Sequence, residues 1–463
     1  MDLRSALDTI AFPALMAGPS AELMALQRQF DASQFWPAPQ MRAAQATQLR
    51  LLLQQAATIP FHAARLKTAG LLPIPTDDAE FWAAWARLPP LRRRDLQDQG
   101  PALHAPATPP AHGPIREVAS GGSTGQPVRV RKAALERMLY NAVLVREEIW
   151  NRPNPRGTIA RLRGIPPGFT PDQTAQARTP QGLMLPDYGP PLAQLWQTGP
   201  VGLMDAILPL SVQADFIAAL QAEYLFMFPS SLRALLAHCR DHAVTFPALR
   251  SAWTLSEVVD PALRALAREV LGVRIIDNYS AAECGYIALQ CPESDAYHVQ
   301  SETVLVEIVD AAGAPCPPGQ TGRVLVTPLH NFAMPLLRYE IGDESTFGPP
   351  CPCGRHLPVL TAIHGRVLDH MVHANGERRR PDIQHYPLSR IAKLREFQMI
   401  QRSRTRVEML MIVARPLDQT EETMVREALA KTFGPNLTFD LTYVETIPRT
   451  QAGKLRPFIC EAV

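Results

Sequence analysis

Between residues 201 and 276 the chain alternates in a way that few folds accept. Apolar segments at 201–210, 252–255 and 273–276 are separated by helix-period segments at 212–221, 230–238 and 262–271. Strand and helix in alternation point to a parallel sheet covered by helices, because parallel neighbours need a crossover that packs on a sheet face. The period then changes. Residues 303–309, 322–327 and 335–339 read as strands joined by short turns, an antiparallel region. Past Gly365, strands at 407–413 and 439–444 flank a helix at 421–433.

A chain of 463 residues exceeds a single core. We expect an α/β protein of two domains. Residues 1–363 would hold the helix-covered sheets and the antiparallel β region, and 364–463 would form a small α+β domain. Helix period also marks 23–30, 41–57 and 133–150, while 88–96 reads as a turn leading into a capped helix. The Pro- and Gly-rich stretch 152–200 gives no assignable element. A formal charge of +2 gives no reason to expect nucleic acid. No apolar run reaches membrane-spanning length, and the first residues lack the basic-then-apolar start of a signal peptide. Seven unevenly spaced cysteines do not suggest a secreted disulfide framework. A cytoplasmic protein without a membrane partner is the expectation.

Ser120-Gly121-Gly122-Ser123-Thr124-Gly125-Gln126-Pro127 stands apart from its surroundings. Glycines let backbone approach a ligand, successive N–H groups can form an anion nest, and hydroxyls add donors. It is not a P-loop, because Gln126 follows Gly125 where that motif needs Lys. Alone, it reads equally as a flexible turn between strands.

Further motifs follow in order. Asn278-Tyr279-Ser280-Ala281-Ala282-Glu283-Cys284-Gly285 is followed by Arg338-Tyr339-Glu340-Ile341-Gly342-Asp343, then Gly365-Arg366-Val367-Leu368-Asp369, and finally Pro448-Arg449-Thr450-Gln451-Ala452-Gly453-Lys454. With the glycine loop, this series resembles the acyl-adenylate-forming enzymes, and more closely their phenylacetate–CoA ligase branch. The strings at 56–61, 88–96 and 227–232 also look like that branch. The resemblance implies ATP and Mg2+ as cofactors. Ser120, Gly121, Gly122, Ser123, Thr124 and Gly125 would clamp the β- and γ-phosphates, and Glu283 would hold magnesium. Ser256, Glu257, Asn278, Tyr279 and Ser280 would line the nucleotide site, with Tyr279 stacked on adenine and Asp343 on the ribose hydroxyls. Arg366 would approach the nucleotide. Lys454 would reach the attacking carboxylate and the α-phosphate, on a C-terminal domain that rotates about a hinge near 367–369. This chain departs from the family at Ala282, usually Thr, at Leu368, usually acidic, and over 373–380.

Cys291 and His298, followed by Cys351 and Cys353, supply three thiols and an imidazole. That set can close a tetrahedral structural zinc site if the intervening strands form a hairpin. Cys239, Cys284, Cys316 and Cys460 find no partner, and packing is the expected role of Cys284.

By resemblance the substrate is a small aromatic acid of benzoate, hydroxybenzoate or phenylacetate size. Residues 364–463 hold 16 Lys and Arg against 12 Asp and Glu, a net +4. A basic lobe suits the phosphates of CoA or an acidic acyl carrier protein acting in trans. The branch also implies an aryl-polyene-type aromatic ligase. Two rivals stand beside it: an amide-forming ligase with an amino acid or amine acceptor, and a nucleotide-binding relative without catalysis. A homodimer is an open expectation.

Overall fold

The computed structural model describes every residue except 1, 2, 8, 11, 120–127, 153, 167, 367–370, 380–393, 414, 435, 449–454, 457 and 463. In chain order the helices are α1 (Gly18–Ser33), α2 (Ala38–Ala56), α3 (Pro60–Ala69), α4 (Asp78–Arg87), α5 (Arg93–Gln99), α6 (Ala134–Asn151), α7 (Pro171–Ala177), α8 (Leu192–Leu195), α9 (Leu210–Leu220), α10 (Pro229–His242), α11 (Pro261–Leu271) and α12 (Gln419–Phe433). The strands are β1 (Ile115–Ala119), β2 (Arg129–Ala133), β3 (Ile159–Leu162), β4 (Leu183–Leu185), β5 (Val201–Met204), β6 (Tyr224–Phe226), β7 (Ser251–Trp253), β8 (Arg274–Ile276), β9 (Asn278–Ala281), β10 (Gly285–Gln290), β11 (Tyr297–Val299), β12 (Val304–Val309), β13 (Thr321–Pro328), β14 (Tyr339–Phe347), β15 (Val359–Arg366), β16 (Met371–Val372), β17 (Arg378–Arg379), β18 (Leu394–Ser403), β19 (Arg406–Val413), β20 (Thr438–Tyr443) and β21 (Phe458–Cys460). They form two compact units. The first comprises Met1–Arg156, Asp187–Thr198 and Asp277–His364, and the second Gly157–Pro186, Gly199–Ile276 and Gly365–Val463.

The first unit is built on a seven-stranded sheet in the order β12-β13-β14-β15-β11-β10-β9. Its pairs β12–β13, β13–β14, β15–β11, β11–β10 and β10–β9 are antiparallel. One face buries Val304, Val306, Ile308, Val324, Val326 and Ile341, alternate residues of neighbouring strands. The N-terminal helices follow the same logic at helical spacing. Leu49, Leu52, Leu53 and Ala56 of α2 pack with Leu66, Phe81, Trp85 and Leu305. The apolar stretch 335–339 is not the strand its composition suggests: β14 starts at Tyr339, and Arg338 lies at φ +52 in a turn. The Arg338 guanidinium donates to the Ala86 and Leu88 carbonyls at 2.8 and 2.6 Å and pairs with Glu307 at 3.1 Å. Leu336 and Leu337 are therefore buried by a turn, where burial alone imitates a strand.

A second organising contact is Arg146 on α6, 1% exposed. Its guanidinium donates to Gln300 Oε1 at 2.8 Å, to the Phe30 carbonyl at 2.8 Å and to both Glu302 oxygens at 2.8 and 3.1 Å. Phe30 lies 4.4 Å from it in a cation–π contact. Burial alone would raise the Glu302 carboxyl, but the Arg146 charge and the bonds from Arg146 and Ser33 hold it below its ordinary value.

In the second unit a six-stranded sheet runs β4-β5-β3-β6-β7-β8, parallel except at its β4 edge. The stretch left unassigned in sequence therefore supplies a central strand, β3, and the antiparallel edge. Leu225, Leu235, Ala252, Leu263 and Ile275 belong to one core between strands and helices. Asp260 caps α11 through Leu263 N–H at 2.7 Å, and Gly272 ends it at φ +67. The C-terminal segment has its own four-stranded sheet, β20-β19-β18-β21. The parallel pairing of β19 with β20 needs the α12 crossover. A capping box between Asp418 and Glu421 starts α12.

Replacing Arg146 by Met strands the Glu302 carboxylate in a buried site. We expect a loss of about 3–5 kcal/mol in urea unfolding. Recovery of most of it in the Arg146→Met/Glu302→Leu double variant is the check that the unpaired charge, not lost packing, is the cause.

Candidate active site

The glycine loop at 120–127 and Lys454 lie outside the described residues, as does the 367–369 hinge; for Arg366 only the backbone, the last residue of β15, is described. The loop's flanks are described. β1 and β2 pair antiparallel, with Ala119 opposite Arg129, so residues 120–128 connect two strands of a hairpin. α6 follows, and the Ala133 N–H at its start donates to Glu136 at 3.0 Å.

Two family motifs meet in the first unit. The Tyr279 hydroxyl donates to Asp343 Oδ2 at 2.7 Å, joining β9 to β14 across 64 positions of sequence. Nearby, Glu283 has a side chain only 5% exposed and lies 3.3 Å from Arg93 Nη1 at the start of α5. Burial draws the Lys132 amine down from its ordinary value, against the opposing pull of Glu136, Cys284 and Glu283. Burial pushes the Glu136 carboxyl up to about 7, against Lys132. The Cys284 thiol is raised far by burial and then by Glu283, which suits packing and not nucleophilic attack. A carboxylate oxygen is the donor type a hard cation such as Mg2+ takes; to hold one, Glu283 would have to share or release its contact with Arg93.

Asn278 and Ser280 make a different connection. Asn278 Nδ2 donates to Glu147 Oε1 at 3.0 Å, and Ser280 Oγ donates to Asn278 Oδ1 at 3.0 Å. The Tyr286 hydroxyl donates to Glu147 Oε2 at 3.1 Å. Tyr140 of α6, 37% exposed, stacks on Tyr286 with centroids 4.7 Å apart. Gly285, at φ +78, is next to Tyr140: a Cβ there would lie 3.7 Å from its ring. Burial, and then the neighbouring Glu148, pushes the Glu147 carboxyl up to about 8. In the second unit, Ser256 sits at φ +69 and the Glu257 carboxylate accepts from Ser230 and from the Leu455 N–H.

The four expected metal ligands do converge. Cys291, His298, Cys351 and Cys353 present ligand atoms within 4.8 Å of one another. Cys291 Sγ and Cys351 Sγ are 3.7 Å apart, against an edge of about 3.8 Å for thiolates on a tetrahedral zinc. His298 turns Nε2 towards Cys353 Sγ at 3.3 Å, while Nδ1 faces the Leu357 carbonyl at 3.4 Å. That carbonyl would fix the ring as a ligand through Nε2. The donor set and its spacing fit zinc.

Sequence reasoning missed Glu147, Arg93, Lys132, Glu136, Tyr140 and Tyr286. One signal was available: Arg146, Glu147 and Glu148 are consecutive charges on one helix, and three successive helical positions cannot all face water beside a buried face. For Glu147 the sign is definite. Its folded pKa lies above its unfolded one, so its contribution to stability is complete in acid and lost as pH rises through about 8. Glu147→Gln is expected to flatten the fall of the thermal midpoint between about pH 5 and pH 8.

Comparisons with known proteins place this geometry. Residues 383–461 match the CapK C-terminal domain family. A phenylacetate–coenzyme A ligase of Thermus thermophilus is 27% identical over 358 residues, covering 73% of this chain and 72% of the relative. A crystal structure of 2-hydroxyisobutyryl-CoA ligase in the postadenylation state with 2-HIB-AMP shares the fold at a TM-score of 0.70 and 17% identity, covering 92% of this chain and 91% of that one. The anthranilate CoA ligase AuaEII with anthranoyl-AMP follows at 0.53 and 15%, covering 74% and 66%. Among the described residues no helix is long and apolar enough to cross a membrane. The ordered motifs, the sheets that carry them and these similarities point the same way: the chain is similar in sequence to a phenylacetate–coenzyme A ligase and shares the fold of 2-hydroxyisobutyryl-CoA ligase.

Proposed function

We propose that the protein is an ATP-dependent, AMP-forming ligase that activates a small aromatic acid and passes it to a phosphopantetheine thiol. The Tyr279–Asp343 hydrogen bond carries this reading, since it brings together the two motifs that the resemblance ties to adenosine. In the first half-reaction an acid oxygen bonds to the α-phosphorus of ATP, and the bond to the leaving pyrophosphate breaks. In the second, the thiol sulfur bonds to the acyl carbon and AMP leaves. Ser120 to Gly125 would hold the phosphates, Glu283 would hold magnesium, which offsets phosphate charge, and Asp343 would accept from the ribose. Ser256, Glu257, Asn278, Tyr279 and Ser280 would border the nucleotide. Lys454 and Arg366 would neutralise charge developing at the α-phosphate, with residues 364–463 moving between the half-reactions.

The aromatic acid is supported by Tyr140, whose half-open ring is held against Tyr286 next to Gly285, a surface for a flat ring. The relatives named for CoA, with the net +4 of 364–463, favour a CoA or carrier-protein thiol. Zinc on Cys291, His298, Cys351 and Cys353 would be structural, since four protein ligands leave no open position.

Acid-dependent ATP–pyrophosphate exchange with benzoate, 4-hydroxybenzoate and phenylacetate tests the reading, and silence with all three rejects it. Lys454→Ala should lower exchange by about 100-fold or more with ATP binding retained. Product mass with CoA, carrier protein or amino acids present separates thioester from amide formation. Metal analysis should give about one zinc per chain, and Cys353→Ser should lower both zinc content and thermal midpoint.

A further inference from the structure

Glu257 is used in a way that its place beside the nucleotide does not require. It follows Ser256, a non-glycine residue held at φ +69, on the loop after β7. Its Oε2 accepts the Ser230 N–H at 2.8 Å, and Oε1 accepts the Ser230 hydroxyl at 3.1 Å. Ser230 stands in the first turn of α10, where backbone N–H groups have no partner within the helix and a carboxylate is favoured. The same Oε1 also accepts the N–H of Leu455 at 3.0 Å, 198 positions further along the chain. The next carbonyl, of Arg456, accepts from Gln398 Nε2 of β18 at 2.8 Å. Residues 455–456 are thus held at one end by the β7 loop and at the other by the C-terminal sheet.

Resting on the function proposed above, we propose that Glu257 is a positioning residue that latches the segment starting at Leu455, directly after Lys454, against the β7 loop for the adenylation half-reaction. A carboxylate accepting a backbone N–H gives a charge-assisted bond that fixes main chain without depending on the side chain that follows. The bond is partly exposed to water, so it can be released. In the function proposed above the β7 loop would border the nucleotide, so a segment seated on that loop would serve adenylation. Thioester formation, which uses the rotated arrangement, does not need the bond. Glu257 takes part in no bond making; it sets where the chain carrying Lys454 begins.

Two measurements on the full-length protein test this. The first is hydrogen exchange, read by mass spectrometry on a short peptide spanning Leu455, and it needs no activity. Glu257→Ala should speed exchange there by about tenfold. Unchanged exchange overturns the latch. The second compares half-reactions with the acid of the benzoate, 4-hydroxybenzoate and phenylacetate panel that is most active in the wild type. Glu257→Ala should lower pyrophosphate exchange at saturating ATP by about tenfold or more, and lower transfer from the preformed acyl-adenylate to CoA by much less. Glu257→Gln keeps an oxygen for Leu455 and should fall between wild type and Ala. Equal loss of both half-reactions means a merely structural role and overturns the proposal. A wild type inert to the whole panel rejects the ligase reading, while the hydrogen-exchange result still decides whether Glu257 holds Leu455.

Discussion

The first unit depends on a guanidinium taken out of water. Arg146 could not be buried alone, since desolvation of an unpaired charge costs several kcal/mol. It is tolerated because Phe30, Gln300 and Glu302 surround it with acceptors. Those acceptors come from α1 and from the turn before β12, so a single side chain fixes α6 against both. Trp150, one helical turn further, extends the same contact: its ring meets His298 edge-on at 5.8 Å and lies under Arg355 at 4.7 Å. The helix that follows the glycine loop and the Cys/His cluster are therefore packed into one body.

That placement of α6 explains the chemistry of its neighbour. Glu147 adjoins Arg146 but does not share its countercharge; it takes neutral donors from Asn278 and Tyr286, a like charge from Glu148 and a smaller opposing pull from Arg152. Low dielectric then favours the protonated acid. Glu283, by contrast, has the Arg93 guanidinium beside it. Tyr279 and Asp343 form a third case, in which a phenol hydroxyl satisfies a carboxylate and locks two distant strands together.

Much of this was legible in the chain. Alternation over 201–276 encodes the parallel sheet because buried parallel strands need continuous apolar runs and helical crossovers. Cys291, His298, Cys351 and Cys353 were legible because few roles want three thiols and an imidazole. Residues 152–200 were not. β3 and β4 are four and three residues long, too short for a period to register against surrounding Pro and Gly. The segment 335–339 misled because Leu336 and Leu337 are buried by a turn that Arg338 stabilises through partners some 250 positions away.

By itself the sequence determined most element types, the order of the motifs and the four residues of the Cys/His cluster. These follow from local period and residue chemistry, which need no knowledge of distant neighbours. Only the tertiary structure decided that Tyr279 meets Asp343, that Arg93 stands against Glu283, that burial raises the Glu147 carboxyl, and that Glu257 holds the Leu455 N–H. Each of these depends on which charge or donor lies within a few ångströms after the chain has closed. Sequence separation carries no information about that distance.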